Sequence, residues 1–138
     1  MRQIHIDYPG TGLDYNVARA LAASLAIDDP EIEEPVVMAW HDKGASKMSP
    51  VIEGGDINTR WHDYGESHGG QIEINVNGQY DFVFADAAAF DGYGPSPYVN
   101  LSDDSGTKYL CQRGLLHDPH QPEKGACVAL DDYTSKMT

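Results

Sequence analysis

Trp40-His41-Asp42-Lys43-Gly44 returns in this chain as Trp61-His62-Asp63-Tyr64-Gly65. Both tryptophans of the protein carry the pattern. Its chemistry would be that of imidazole, which ligates zinc, copper, nickel or iron. If residues 35–42 and 57–64 are antiparallel neighbours, His41 lies opposite His62, on the face away from the two indoles. Glu66 and His68 then complete three or four ligands. Three protein ligands with one open position make a catalytic type of metal site. A structural reading competes. Trp buries apolar surface at a strand end, Asp bonds the backbone ahead, and Gly permits the turn. The spacing fits no established metal signature, which favours the structural reading.

A second set of ligand types lies near the C-terminus. Cys111, His117, His120 and Cys127 offer two thiolates and two imidazoles, a set suited to structural zinc. Zinc would help a polar segment with little core of its own. The close Cys-x-x-Cys knuckle is absent, so one buried cysteine and two surface histidines explain the same residues. Glu66, Ser67 and His68 are adjacent and do not form a triad, which is assembled from distant segments. Pro9-Gly10-Thr11-Gly12 precedes a helix but lacks the phosphate-loop pattern, and Asp14 would repel an anion.

The charge narrows the function classes. With 9 basic and 22 acidic residues the formal charge is −13. Such a surface disfavours nucleic acid and anionic membranes, both of which need clustered cations. The start, Met1-Arg2-Gln3-Ile4-His5-Ile6-Asp7, alternates like a strand and lacks the apolar run of a signal peptide. No stretch reaches the ~20 apolar residues of a membrane-spanning helix. Two cysteines do not make a disulfide scaffold, and the default expectation is a cytoplasmic protein with both reduced.

The elements that must position these residues follow from periodicity. Arg2 to Asp7 reads as a half-buried strand with Ile4 and Ile6 inward. Leu13 to Ala26 reads as the main helix, capped by Asp14, with Val17, Leu21 and Leu25, flanked by Leu13, Ala18 and Ala22, as an apolar stripe whose small alanines allow close approach to the sheet. Pro35 to Trp40 is apolar on both faces, the mark of a central strand covered on at least part of its second face. Lys43 to Asp56 is a long polar connection. Ile57 to Tyr64 alternates weakly and reads as a strand. Ile72, Ile74 and Val76 lead through Asn77-Gly78 to Tyr80, Phe82 and Phe84. A two-residue turn would put the two apolar sets on opposite faces. A three-residue loop, Val76-Asn77-Gly78, keeps them together by pairing Ile74 with Tyr80 and Ile72 with Phe82.

Residues 98–101 and 107–110 suggest a second hairpin, and 126–130 a last short strand or helical turn. The expected fold is α+β: one main helix on a mostly antiparallel sheet of about five strands, β-α-β-β-β-β, with a β-rich C-terminal extension. The core spans residues 1–86. Residues 87–138 form an extension packed on it, too short and polar to be an independent domain.

Gly12-Leu13-Asp14, Ala39-Trp40-His41-Asp42, Ser49-Pro50, Glu66-Ser67-x-Gly69-Gly70 and the Asn77-Gly78 hairpin ending in Phe82-Val83-Phe84 together resemble a small family of archaeal and bacterial domains of unknown function. The likeness runs from about Leu13 to Phe84. It implies a compact α+β domain and supplies no activity, so no catalytic residue is transferred. Both cysteines, His117 and His120 lie outside it.

Three functions compete on this reading. The first, favoured by the lack of any established catalytic motif, is a non-catalytic binding or assembly module, with a homo-oligomer formed through an exposed sheet edge as one form of it. The second is a metal-binding protein or metal-dependent enzyme using His41, His62, Glu66 and His68 with zinc or another transition metal. The third is a binding domain with structural zinc in the tail.

Overall fold

Residues that repeat every second position, broken by Gly, Pro and Asp, produce short strands around one long helix. The computed structural model describes residues 1–49, 56, 58–90, 98–105 and 108–129. Along the chain run β1 (Arg2–Ile6), α1 (Tyr15–Asp28), β2 (Pro35–Asp42), β3 (Lys47–Ser49), α2 (Arg60–Ser67), β4 (Gly70–Val76) and β5 (Tyr80–Asp86). A 3-10 turn (Ala87–Phe90) precedes β6 (Tyr98–Ser102) and β7 (Lys108–Gln112), and β8 (Cys127–Ala129) follows. The first sheet has the order β1-β4-β5-β2-β3 and the second β6-β7-β8. In the first sheet only the β1–β4 pair is parallel. The α+β class and the mostly antiparallel sheet match the sequence reading.

The main helix forms where expected, with Asp14 accepting a hydrogen bond from the Val17 amide at 2.9 Å. Its buried stripe is different. Tyr15, Ala18, Ala22 and Ala26 face the sheet, while Leu25 is 39% exposed. The expected stripe is met by its flanking alanines, Ala18 and Ala22, while its centre is one position away from the expected Val17-Leu21-Leu25. The cause is the volume already on the sheet: Trp40, Phe82, Ile72, Ile74 and Val76 are fully buried. A helix meeting such side chains at crystal-like density presents its small residues. The close approach brings the Tyr15 ring to 4.6 Å from Trp40 and 5.8 Å from Phe82.

The expected third strand is instead the helix α2. Its first turn is started by the Asp56 carbonyl, which accepts from the amides of Thr59 and Arg60. Trp61 is buried, and α2 packs on β2, β5 and β4. A strand could cover the second face of β2 only as part of another layer, whereas one amphipathic helical turn does so alone. Helix and sheet meet at Gly65, where an added Cβ would lie 2.7 Å from Val83 Cγ1. The short β3 sits inside the expected polar connection and pairs with the end of β2. The remaining calls on that connection from Pro50 to Gly55, and on Ile57, fall outside the described residues.

The hairpin keeps the predicted facing and shifts its register. Val76 faces Tyr80, Ile74 faces Phe82 and Ile72 faces Phe84. The loop is Asn77-Gly78-Gln79, one residue later than expected at each end. Asn77 and Gly78 both have positive φ, 55° and 70°. The Asn77 side chain also bridges to β1's end, accepting from the Tyr8 amide at 2.6 Å and donating to the Tyr8 carbonyl at 3.1 Å. These bonds tie the left-handed residue in place.

Side-chain bonds tie the second sheet and its flanking turn to the first sheet and the connector before β2. The Asn100 side chain accepts from the Val37 amide at 3.0 Å, Arg113 pairs with Glu34 at 3.0 Å, and the Ser49 hydroxyl donates to the Ala129 carbonyl. Asp86, nearly buried, accepts from the amides of Glu33, Glu34 and Ala88 and so fixes the acidic connector at the end of β5.

The Gly65–Val83 contact yields a prediction. Gly65→Ala should destabilise the protein by about 1–3 kcal/mol, because overpacking outweighs the gain in helix propensity. In urea denaturation Gly65→Ala combined with Val83→Ala should cost less than the sum of the single changes. Strict additivity would show that the contact does not set the spacing.

Candidate functional site

The outer face of the first sheet, away from α1, carries a polar row that crosses four strands. His5, Asn75, Asp81 and His41 occupy directly opposed positions on β1, β4, β5 and β2. Odd-numbered positions of β4 and β5 point outward because their even neighbours fill the core. Hydrogen bonds link the first three, and the last step to His41 is a longer approach. His5 Nδ1 lies 2.8 Å from Asn75 Oδ1, Asn75 Nδ2 donates to Asp81 Oδ1 at 2.8 Å, and Asp81 Oδ2 stands 3.7 Å from His41 Nδ1. The Gly78 amide also donates to Asn75 Oδ1. That oxygen accepts, so His5 Nδ1 must be the donor in its bond.

His41 closes the row beneath a cleft of about 440 Å³, lined among others by Lys43, Asn58, Trp61, Asn75 and Asp81. Its side chain is 11% exposed. The imidazole stacks on Trp61 with centroids 5.1 Å apart and planes 13° from parallel. The Trp61 indole N–H donates to the Asn58 carbonyl at 3.1 Å, which holds the ring. His41 thus stacks on an indole and has a carboxylate 3.7 Å from one nitrogen, beyond hydrogen-bond range. Among the described residues its Nε2 has no hydrogen-bond partner. Such an imidazole can donate to or accept from a ligand in the cleft.

The residues expected to bind metal are dispersed. His41 and His62 both touch Trp61, His62 edge-on at 5.6 Å, and no contact joins the two imidazoles among the described residues. The expected strand neighbourhood fails because residues 60–67 are helical, and the helix turns His62 toward β4. There His62 Nδ1 meets Glu73 at 2.7 Å, while Nε2 lies 3.7 Å from Glu66. His68 caps α2 and stacks on Tyr64 at 4.0 Å. Among the described residues no group of three or more His, Cys, Asp or Glu side chains converges as a metal site.

The tail cluster is also rearranged. Cys111 and Cys127 are directly opposed on β7 and β8 and form a disulfide, so neither offers a thiolate. This corrects the expectation of two reduced cysteines. The next pair along, Gln112 and Ala126, shares a backbone hydrogen bond. Cys111 and Cys127 therefore sit at a non-hydrogen-bonded position, where antiparallel strands come closest. His117 bonds Glu123 at 2.7 Å and is 92% exposed. The His117 amide, followed by its ring, holds the Glu123 carboxyl below the usual carboxylate range. The His120 amide bonds the side chain of Asp118.

Sequence reasoning missed Asn75, Asp81, Lys43 and Asn58 as site residues. The signal lay in the alternation itself. Once Ile74 and Phe82 face the core, Asn75 and Asp81 must share the other face with His41.

Comparison with known proteins bears on this geometry. The model of a domain of unknown function, DUF5619, matches residues 1–84, from β1 to the last turn of the β4–β5 hairpin's return strand. The chain belongs to that family. The family region contains the whole polar row and the cleft, and ends before the second sheet. A crystal structure described as a novel protein, AF1514 from Archeoglobus fulgidus, is similar at 20% identity with a TM-score of 0.53. The match covers 62% of this chain and 94% of that one. At that identity it supports the fold alone. No curated protein matches the chain.

Two predictions follow from the polar groups and the disulfide. The Asp7 carboxylate, then the Asn75 amide, raises the His5 pKa above its ordinary 6.5. Its folded pKa exceeds the unfolded one, so the stabilisation is full below about 6.5 and is lost as pH rises through the folded value. An NMR titration should give a His5 midpoint above 6.5 that falls in Asp7→Asn. An unmoved midpoint in that variant would assign the shift elsewhere. For the disulfide, thiol titration in denaturant without reductant should find no free thiol. Replacing both cysteines by serine should cost about 3 kcal/mol, the chain-entropy value for a loop of roughly 15 residues.

Proposed function

We propose that this domain is a non-catalytic binding module and that the cleft over His41 is its ligand seat. The carrying observation is the state of His41: nearly buried, stacked on Trp61, and with Nε2 lacking a partner among the described residues. An imidazole ordered to this degree costs conformational freedom, and an available nitrogen over a polar cleft gives that cost a use. The lining holds one cation, Lys43, and one carboxylate, Asp81, which suits a small polar ligand whose anionic group meets Lys43. The amides of Asn58 and Asn75 would set its orientation.

The metal readings are supported less by the arrangement. A shared ion at His41, His62, Glu66 and His68 would require α2 to turn, and zinc in the tail would require the disulfide to be reduced. The expected cytoplasmic location stands in tension with that bond, which persists inside cells only where intracellular disulfides are maintained.

The test uses acetate, citrate and inorganic phosphate as probes in ¹H–¹⁵N NMR. At least one should produce saturable shifts at the Trp61 indole, Lys43 and Asn75, and His41→Ala should weaken its binding about tenfold or more, the loss of one hydrogen bond to a charged group. Shifts that are absent with all three, or equal in His41→Ala, would remove the cleft as the seat.

A further inference from the structure

Leu110 on β7 is buried in the core of the domain. Its neighbours along the strand, Tyr109 and Cys111, therefore point to the opposite face of the second sheet. Ala129 and Cys127, their directly opposed partners on β8, point the same way. The disulfide lies on the sheet face turned away from the core. On that face opens a cleft of about 460 Å³, lined among others by Tyr109, Cys127, Asp103, Glu123 and Lys124.

The two halves of the bond are not equivalent. Cys111, on the central strand, is fully buried. Cys127, on the edge strand, is partly exposed and lines the cleft. The Glu123 amide donates to Cys127 Sγ at 3.3 Å. The segment that the bond closes contributes little to the core. Residues 112–121, Leu116 apart, are exposed. Much of its bonding is internal, as between His117 and Glu123 and from the Ala126 amide to the Glu123 carbonyl. Opening the bond therefore leaves the packing of the first sheet untouched.

We propose that the Cys111–Cys127 bond is a thiol–disulfide exchange site, attacked at Cys127, whose substrate is a neutral or cationic dithiol. Exchange requires the incoming thiolate to reach one sulfur from the side opposite the other, so access decides which sulfur is attacked. The cleft gives that access to Cys127, and burial denies it to Cys111. In the first step a thiolate of the dithiol bonds to Cys127 Sγ. The S–S bond breaks, and Cys111 Sγ leaves with the electron pair and takes up a proton. In the second step the other sulfur of the dithiol attacks its partner in the mixed disulfide. Cys127 leaves as a thiolate, and the Glu123 amide already donates to the atom that receives the charge. Two electrons pass to the protein, and the dithiol ends as a disulfide. Charge sets the substrate class. Two carboxylates, Asp103 and Glu123, and one cation, Lys124, line the entry of a chain of charge −13, which repels an anionic thiol. Both carboxylates already accept hydrogen bonds, Asp103 from Tyr109 and Glu123 from His117.

The test uses the folded full chain with two monothiol probes, cationic cysteamine and anionic mercaptopropionate. Samples are quenched early in denaturant with N-ethylmaleimide. Trypsin cleavage at Arg113 and Lys124 places the two cysteines in separate peptides for mass spectrometry. Cysteamine should be found on Cys127 with maleimide on Cys111, at least about tenfold over the reverse, since access selects the sulfur. The opening rate should be proportional to thiol concentration and unchanged by urea below the unfolding transition. Compared per thiolate, cysteamine should react faster than mercaptopropionate, by a margin that narrows as salt screens the charges. Dithiothreitol, a neutral dithiol, should open the bond and leave no lasting adduct. Adducts on Cys111 or equally on both cysteines, no opening without denaturant, a rate that rises with urea, or mercaptopropionate as the faster probe would overturn the proposal.

Discussion

β2 has to be covered on both faces, and most of the architecture answers that requirement. Val36 to Trp40 is buried without interruption. Trp40 points toward α1 and meets Tyr15. His41 points the other way and meets Trp61 on α2. A strand of this kind cannot end a sheet, and it lies between β5 and β3. It cannot carry one open face either, so a second helix is needed where the sequence shows only weak alternation. The second sheet then takes the remaining end of β2 through Asn100 and the Val37 amide.

The same five-residue pattern takes two conformations for this reason. Trp40-His41-Asp42 pairs in a ladder, and Asp42 turns the chain by accepting from the Ala45 amide at 3.2 Å. Trp61-His62-Asp63 winds into a helix whose start is organised by Asp56, upstream of the pattern. Neither Trp nor His has a strong intrinsic preference, so context decides. What the copies share is a buried indole beside a histidine. The result brings the two halves together: the imidazole of the first copy stacks on the indole of the second.

Those elements whose evidence is local were legible in the sequence. Asp14 capped the helix it was assigned, the Asn77-Gly78 loop kept all six apolar side chains of its strands on one face, and 98–101 paired with the segment after the acidic turn. The close-packing alanines of α1 were legible, but not that they, rather than the leucines, lie at the centre of its buried stripe. Leucine is more apolar than alanine, and only the size of the residues already on the sheet makes alanine the better contact. Nor was α2, whose Gly65 reads as a turn signal until Val83 is seen beneath it. Of the candidate site, His41 was named, and its partners were not. The missing information was which strands are neighbours, because β4 and β5 lie between β1 and β2.

The polar row shows how a charged network persists on a partly covered face. Burying an unpaired polar group costs more than pairing it returns, so such rows are kept only where each member is satisfied. Asn75 accepts from two groups and donates to Asp81, so the middle of the row is fixed by hydrogen bonds. The row ends toward β2 on His41, which lines the cleft and is held by its stack on Trp61. Had the row been only a device for joining strands, a residue with no further polar atom would serve better at that end. Histidine leaves a second nitrogen over, which a link between strands would not require.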